Sequence, residues 1–181
     1  MFDKVLDSDL PEYAKTTVRL EHEAQTVIGG GIVTTAWTAT HATFGILRNP
    51  EVHVKLLAEL RETVPDISAD NAFAYDKIER LPYLTGCVKE GVRMGVGLSG
   101  RNTRVLQEPL VYNDYTIPAG TAIGVSPRHL NYDSGIFEDA QQFRPERWIG
   151  VDGPPRAPDG RSLESWFMAF GKGSRSCIGV K

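Results

Sequence analysis

Apolar positions in the first half of the chain recur at the three- and four-residue spacing of helices and form three stretches. The first and longest begins near Asp9, because Asp9 and Glu12 resemble a capping box and Pro11 suits a first helical turn. It contains three consecutive glycines (29–31), which are costly inside a helix and predict a bend or a close approach to the backbone. It is predicted to end at Asn49, ahead of a proline.

The second helix is predicted from Pro50 and the third from Pro82 to about Met94. The segments GRNTRVL and LVYNDYTIPAGTAIGV then indicate short strands, with turn residues around Asn113. From Asn131 onwards the pattern is that of a long, charged coil. Helices, a small sheet and a coil predict a fold that is mainly α with a small β part.

Composition narrows the class of protein. The chain has 181 residues, 41% hydrophobic and 24% charged, as in a globular domain of ordinary size. A net charge of -3 argues against nucleic acid as a partner. No stretch approaches ~18 uninterrupted apolar residues, so no transmembrane segment is predicted. The predicted core residues include Trp37, Phe44, Phe73 and Cys87. Because Cys87 is assigned to the core, Cys177 is the cysteine of chemical interest.

That cysteine lies in the segment FGKGSRSCIG. Gly171 and Gly173 permit tight turns close to a flat ligand, and Arg175 offers a cationic fork to a carboxylate. Cys177 stands where a short helix could begin, and Gly179 removes a side chain above that turn. A single thiolate is a poor zinc site but suits haem, which already supplies four ligands. The structural alternative is a buried cysteine in a glycine-rich loop.

These positions resemble the haem-binding signature of the cytochrome P450 family, F-x-x-G-x-R-x-C-x-G. Phe170, Gly173, Arg175, Cys177 and Gly179 match its fixed positions, and Gly171 stands at a variable one. The resemblance implies a haem b cofactor (iron protoporphyrin IX), Cys177 as the axial ligand of its iron, and cofactor contacts from the other five.

A second motif lies on the third predicted helix. Glu90 and Arg93 are three residues apart, so they share a face, and a solvated ion pair is the ordinary interpretation. Arg147 follows in the segment RPERW. This arrangement resembles the P450 pattern in which a helical E-x-x-R pair is completed by a later arginine. It implies that Glu90, Arg93 and Arg147 form a buried structural triad that holds the coil beneath the haem.

The segment GGGIVTT resembles the P450 oxygen-binding stretch of the long helix, with Thr34 at the catalytic threonine position. Val33 stands where the family usually has an acid, and valine cannot relay a proton. Alternatively, Thr34 only hydrogen-bonds its own helix. Arg104 is expected either to reach a haem propionate or to be an ordinary cation at a strand end.

The resemblance covers about Asp9 to Val180 but only the C-terminal portion of a P450, similar to fungal microsomal members. Residues 1–181 are thus expected to be a partial P450 domain, without the N-terminal half and most of the helix after the cysteine. For a full-length relative the resemblance implies a small apolar substrate, NADPH-cytochrome P450 reductase as electron donor, and the endoplasmic reticulum membrane.

Three functions remain open at this point. The first is a monooxygenase that inserts one oxygen atom from O₂ into an apolar organic substrate. The second is a truncated, catalytically inactive remnant that binds haem weakly or not at all. A cysteine-nucleophile enzyme pairing Cys177 with a histidine fits less well, because it gives Glu90, Arg93 and Arg147 no role as a set.

Overall fold

The computed structural model of the chain describes residues 2–150 and 153–180. Two compact units are present, Met1–Trp37 and Thr38–Lys181. The α-helices are α1 (Phe2–Leu6), α2 (Thr17–Arg48), α3 (Pro50–Thr63), α4 (Tyr75–Ile78), α5 (Pro82–Gly95), α6 (Pro127–Asn131) and α7 (Leu163–Trp166). The strands are β1 (Arg104–Val105), β2 (Leu110–Tyr112), β3 (Tyr115–Ile117) and β4 (Ala122–Ile123).

The long helix α2 begins later than the sequence predicts. Glu12–Ala14 form a separate 3₁₀ turn, and α2 starts at Thr17. The side-chain oxygen of Thr16 accepts a hydrogen bond from the backbone N–H of Arg19 at 3.4 Å, so Thr16 caps the helix instead of Asp9. Helix α2 continues without interruption through the three glycines (29–31).

Helices α3 and α5 confirm the predictions made from their prolines, since each carries proline in its first turn. The Glu59 carboxylate of α3 caps α5, accepting hydrogen bonds from the backbone N–H groups of Tyr83 and Leu84 at 2.8 Å each. The two helices share a core cluster made of Val52, Leu56, Tyr83 and Cys87. Cys87 is fully buried, as predicted.

The small β part consists of two antiparallel pairs. β2 and β3 form a hairpin in which Tyr112 faces Tyr115, and Asn113 occupies its turn with a positive φ of 51°. β1 pairs with β4, and Arg104 lies opposite Ile123. These pairs and the helices around them confirm the predicted fold class, mainly α with a small β part.

The coil after Asn131 has a core of its own. Pro145–Trp148 form a 3₁₀ turn, and α7 is a single helical turn. A second cluster of buried apolar side chains lies between these segments: Phe137, Ala140, Trp148, Ala157 and Leu163. This cluster packs beneath the turn that carries Arg147, and Phe167, just ahead of the segment with Cys177, packs against it.

Three expected core residues are exposed instead. Trp37, Phe44 and Phe73 each leave half or more of the side chain accessible to solvent. The prediction relied on residue type alone, whereas burial also requires an opposing surface at the same place in the fold. Among the described residues, no helix is both long and apolar enough to cross a bilayer.

Candidate functional site

A buried ion pair lies on α5. Glu90 and Arg93 are one helical turn apart, and both side chains are fully buried rather than solvated. The Arg93 guanidinium donates to both carboxylate oxygens, from Nη2 to Oε1 at 2.7 Å and from Nε to Oε2 at 2.9 Å. This is the two-point geometry in which arginine binds a carboxylate most strongly.

Three further donors reach the same carboxylate from the coil around PERW. Arg147 donates from Nε to Oε1 of Glu90 at 3.0 Å, and the backbone N–H of Arg144 donates to Oε1 at 3.0 Å. The indole N–H of Trp148 donates to Oε2 at 2.9 Å. The structure thus brings Glu90, Arg93 and Arg147 together, and Glu90 accepts five hydrogen bonds.

The two arginines use their other donors on backbone carbonyls of the coil. Arg93 Nη1 donates to the carbonyl oxygens of Asn131 at 2.5 Å and Ala140 at 2.8 Å. Arg147 Nη1 donates to the carbonyl oxygen of Glu138 at 2.6 Å. One buried charge network therefore fixes the path of the coil between residues 131 and 147.

Opposing effects set the ionisation of this network. Burial by itself raises the pKa of Glu90, but the hydrogen bond and charge of Arg93 and the charge of Arg147 outweigh it, so the pKa lies below its usual value. Burial lowers the pKa of Arg147, while the charge of Glu90 opposes that shift. An arginine remains protonated in spite of such a shift, so the network holds one carboxylate and two guanidinium groups.

Besides Trp148, sequence reasoning missed Asn131 and Tyr132 as members of this site. Asn131 is fully buried, and its Nδ2 donates to the carbonyl oxygen of Arg93 at 2.9 Å. The Tyr132 hydroxyl donates to the carbonyl oxygen of Met94 at 2.8 Å. Both fasten the end of α5 to the coil 38 positions later, a distance over which no local pattern gives a signal.

The cysteine loop is a separate feature, defined here as residues 168–180. Gly171 and Gly173 adopt φ values of +67° and +77°, the left-handed region that glycine enters without steric cost. The backbone N–H of Cys177 donates to the carbonyl oxygen of Phe170 at 2.8 Å and closes the loop. Ile178–Val180 form a 3₁₀ turn after the cysteine, and Lys181 lies outside the described residues.

Cys177 is exposed and forms no disulfide. Its Sγ accepts a weak hydrogen bond from the backbone N–H of Gly179 at 3.4 Å, and the Arg175 side chain is exposed in the same loop. Across residues 2–150 and 153–180, no group of three or more histidine, cysteine, aspartate or glutamate side chains could hold a metal ion. One accessible sulfur with a backbone N–H donor fits the axial ligand of haem, which brings its other four ligands with it.

The remaining predicted residues lie elsewhere. Thr34 is on α2, and its hydroxyl donates to the carbonyl oxygen of Gly30 at 2.6 Å. This is the hydrogen bond within its own helix that was expected if Thr34 has only a structural role. Arg104 is exposed at the start of β1 and donates from Nη1 to the carbonyl oxygen of Thr103 at 3.1 Å.

Comparison with known proteins identifies the family. A family model described as Cytochrome P450 matches residues 7–181. The chain belongs to the cytochrome P450 family. Haem-thiolate ligation and electron supply by redox partners are general properties of that family.

Its relatives at about 40% identity include fungal proteins, which agrees with the predicted resemblance to fungal members. The chain is 40% identical to cytochrome P450 monooxygenase sdnE of Sordaria araneosa, over 99% of this chain and 34% of that protein. It is 38% identical to the N-acetyltryptophan 6-hydroxylase ivoC of Emericella nidulans, over 99% of this chain and 34% of that protein. The chain thus spans about a third of the length of the curated relatives it matches.

A solved structure shares the fold. The haem domain of a cytochrome P450DA mutant superposes with a TM-score of 0.64 at 20% sequence identity, covering 81% of this chain and 30% of that one. At this identity the similarity shows the fold alone.

Proposed function

We propose that this chain supplies the haem-thiolate portion of a monooxygenase that inserts one oxygen atom from O₂ into a small apolar organic substrate. The observation that carries the proposal is the accessible Cys177 thiol in a loop with two left-handed glycines. Membership of the P450 family and relatives named as monooxygenases and hydroxylases support it.

The cofactor in this proposal is haem b. Cys177 would supply the sulfur ligand of the iron, and the backbone of Gly171 and Gly173 would let the loop lie close to a flat ring. Phe170, Arg175 and Gly179 would complete the contacts from the loop, and Arg104 would pair with a propionate. When bound, the haem supplies an iron centre at which O₂ is activated, with the thiolate donating electron density.

The proton-handling residue in this proposal is Thr34. Its hydroxyl hydrogen is engaged by the Gly30 carbonyl, so its oxygen can accept a hydrogen bond from water on the α2 surface. Val33 has no polar atom, so protons would pass through water to Thr34 Oγ1 without a neighbouring carboxylate. Gly30 provides the acceptor that orients the hydroxyl.

Substrate, electron donor and location are further parts of this proposal. Two relatives are named for hydroxylating N-acetyltryptophan and fusicoccadiene, both of which contain apolar rings, so we propose a small substrate that is attacked at an apolar carbon. We further propose NADPH-cytochrome P450 reductase as the electron donor of the whole protein and the endoplasmic reticulum membrane as its location.

The test is an optical spectrum of the purified chain with added haem, reduced under carbon monoxide. We expect the red-shifted Soret band of thiolate ligation in the unsubstituted chain and in Cys87→Ser, and its loss in Cys177→Ser. Cys87→Ser is the matched control, because it removes the other thiol. A spectrum that does not change in Cys177→Ser would overturn the proposal and favour the inactive remnant.

A further inference from the structure

Trp148 contacts both the buried charge network and the aromatic side chains that lead to the cysteine loop. Its side chain is 8% exposed, and its indole N–H donates to Glu90 Oε2 at 2.9 Å. Its ring lies 5.1 Å from the ring of Phe167, centroid to centroid, at an interplanar angle of 70°. One side chain thus touches the network through its polar edge and the coil before the loop through its ring.

The ring contacts continue into the loop itself. Phe167 meets Phe170 edge to face, with centroids 6.1 Å apart at 73°. The carbonyl oxygen of Phe170 accepts the hydrogen bond from the Cys177 N–H. These edge-to-face pairs are the favourable geometry for aromatic rings. Three aromatic residues therefore connect Glu90 to the backbone of the cysteine, and we name Trp148, Phe167 and Phe170 the aromatic relay.

Two lysine contacts in this region are partly or largely exposed. The Lys89 ammonium pairs with Glu164, and the Lys172 ammonium donates to the carbonyl oxygen of Ser165 at 2.6 Å. Water competes for such partners, so exposed ion pairs contribute little to local order. The aromatic relay begins at a buried residue and is anchored by a charge-assisted hydrogen bond.

We propose that Trp148 is a positioning residue for the cysteine loop. Its N–H sets the angle of the indole on Glu90, and its ring then places Phe167 and Phe170, which hold the Cys177 amide. This proposal depends on the proposed function only in taking Cys177 as the haem ligand. The order of the loop itself does not require haem.

The first experiment is amide hydrogen exchange on the full chain without haem. In Trp148→Leu we expect exchange in the cysteine loop (168–180) to rise at least about fivefold, while the hairpin 110–117 is unchanged. Trp148→Phe keeps a ring but loses the N–H, so a smaller rise is expected. Leu56→Ala is the control for general destabilisation, because Leu56 is buried to a similar extent (7% exposed against 8% for Trp148) and belongs to the other core cluster.

A second variant covers the case in which Trp148→Leu fails to fold. Phe167→Leu breaks the middle of the relay without touching Glu90, and the same selective rise in loop exchange is expected. Unchanged loop exchange in the folded relay variants would overturn the proposal. An equal rise in Leu56→Ala would do the same, since the effect would then be a general loosening of the fold.

The spectroscopic measurement adds haem. We expect Trp148→Leu to shift or broaden the carbon monoxide Soret band, Trp148→Phe to restore most of it, and Leu56→Ala to leave it unchanged. If even the unsubstituted chain gives no thiolate band, the proposed function fails, while hydrogen exchange still decides whether Trp148 orders the loop. A thiolate band identical in all four chains would contradict the positioning role.

Discussion

Replacing Glu90 by glutamine exchanges one carboxylate oxygen at the centre of the buried network for an amide nitrogen and leaves the shape of the side chain almost intact. The amide nitrogen of glutamine donates hydrogen bonds and cannot accept them. In the variant it would therefore face N–H groups that now donate to a carboxylate oxygen of Glu90. Oε2 accepts from Arg93 and Trp148, and Oε1 accepts from three donors. Glu90→Gln therefore leaves at least two buried donors without an acceptor.

The expected loss of unfolding free energy follows from these contacts. Each buried donor left unsatisfied costs about 1–3 kcal/mol, so two of them cost about 2–6 kcal/mol. Breaking a buried ion pair by removing one partner typically costs about 3–5 kcal/mol, which falls within the same range. A domain has only about 5–15 kcal/mol in total, so the variant is expected to be close to unfolding.

Urea denaturation of both chains, followed by circular dichroism, measures this difference as a lower midpoint at unchanged slope. Glu138→Gln is the matched control, because Glu138 pairs with Arg144 at 3.0 Å while its side chain is 78% exposed. An exposed pair of this kind contributes about 0–1 kcal/mol. A loss below about 1 kcal/mol in Glu90→Gln would refute the assignment of the network as the main anchor of the coil.

Three further predictions concern pH, a helix cap and a helix contact. The folded pKa of Glu90 is held below its ordinary value of 4.5, so the stability it contributes is present above that pH and is lost as pH falls through the lower folded value. The gap in unfolding free energy between the unsubstituted chain and Glu90→Gln should therefore narrow in acid, and a constant gap from neutral pH to about pH 3 would contradict this. Glu59→Ala removes the acceptor for two α5 amides and should cost about 0.5–2 kcal/mol in urea denaturation; no loss would show that water replaces the cap. Gly91→Ala would place its Cβ 2.5 Å from the Cβ of Ala42 and should lower the free energy of unfolding by about 1–3 kcal/mol. In the control Gly30→Ala the new Cβ meets nothing within 4 Å, so the free energy of unfolding should rise by up to about 1 kcal/mol. Equal effects of the two substitutions in urea denaturation would argue against the α2–α5 contact.

The sequence predicted those parts of the fold that local chemistry determines. Pro50 and Pro82 mark helix starts because proline is accepted in a first turn, and both positions are confirmed. The predicted start of α2 is wrong. Asp9 and Glu12 match a capping pattern, but the side chain of Thr16 caps the helix in the structure.

The candidate site, too, could be predicted only where neighbouring residues in the sequence determine it. The spacing of Glu90 and Arg93 predicts that they share a helix face, but their complete burial depends on coil residues about 40–60 positions later. Trp148 and Asn131 gave no signal of their own, because a hydrogen bond across 58 or 38 positions leaves no periodic pattern. Long-range partners of this kind become visible only when the chain is folded.

The most direct test of the central claim is X-ray absorption at the iron edge of the haem-loaded chain, because it detects the atoms bonded to iron. We predict one sulfur neighbour in the unsubstituted chain and in Cys87→Ser, and none in Cys177→Ser. Absence of sulfur in the unsubstituted chain, or its persistence in Cys177→Ser, would contradict the assignment of Cys177 as the haem ligand.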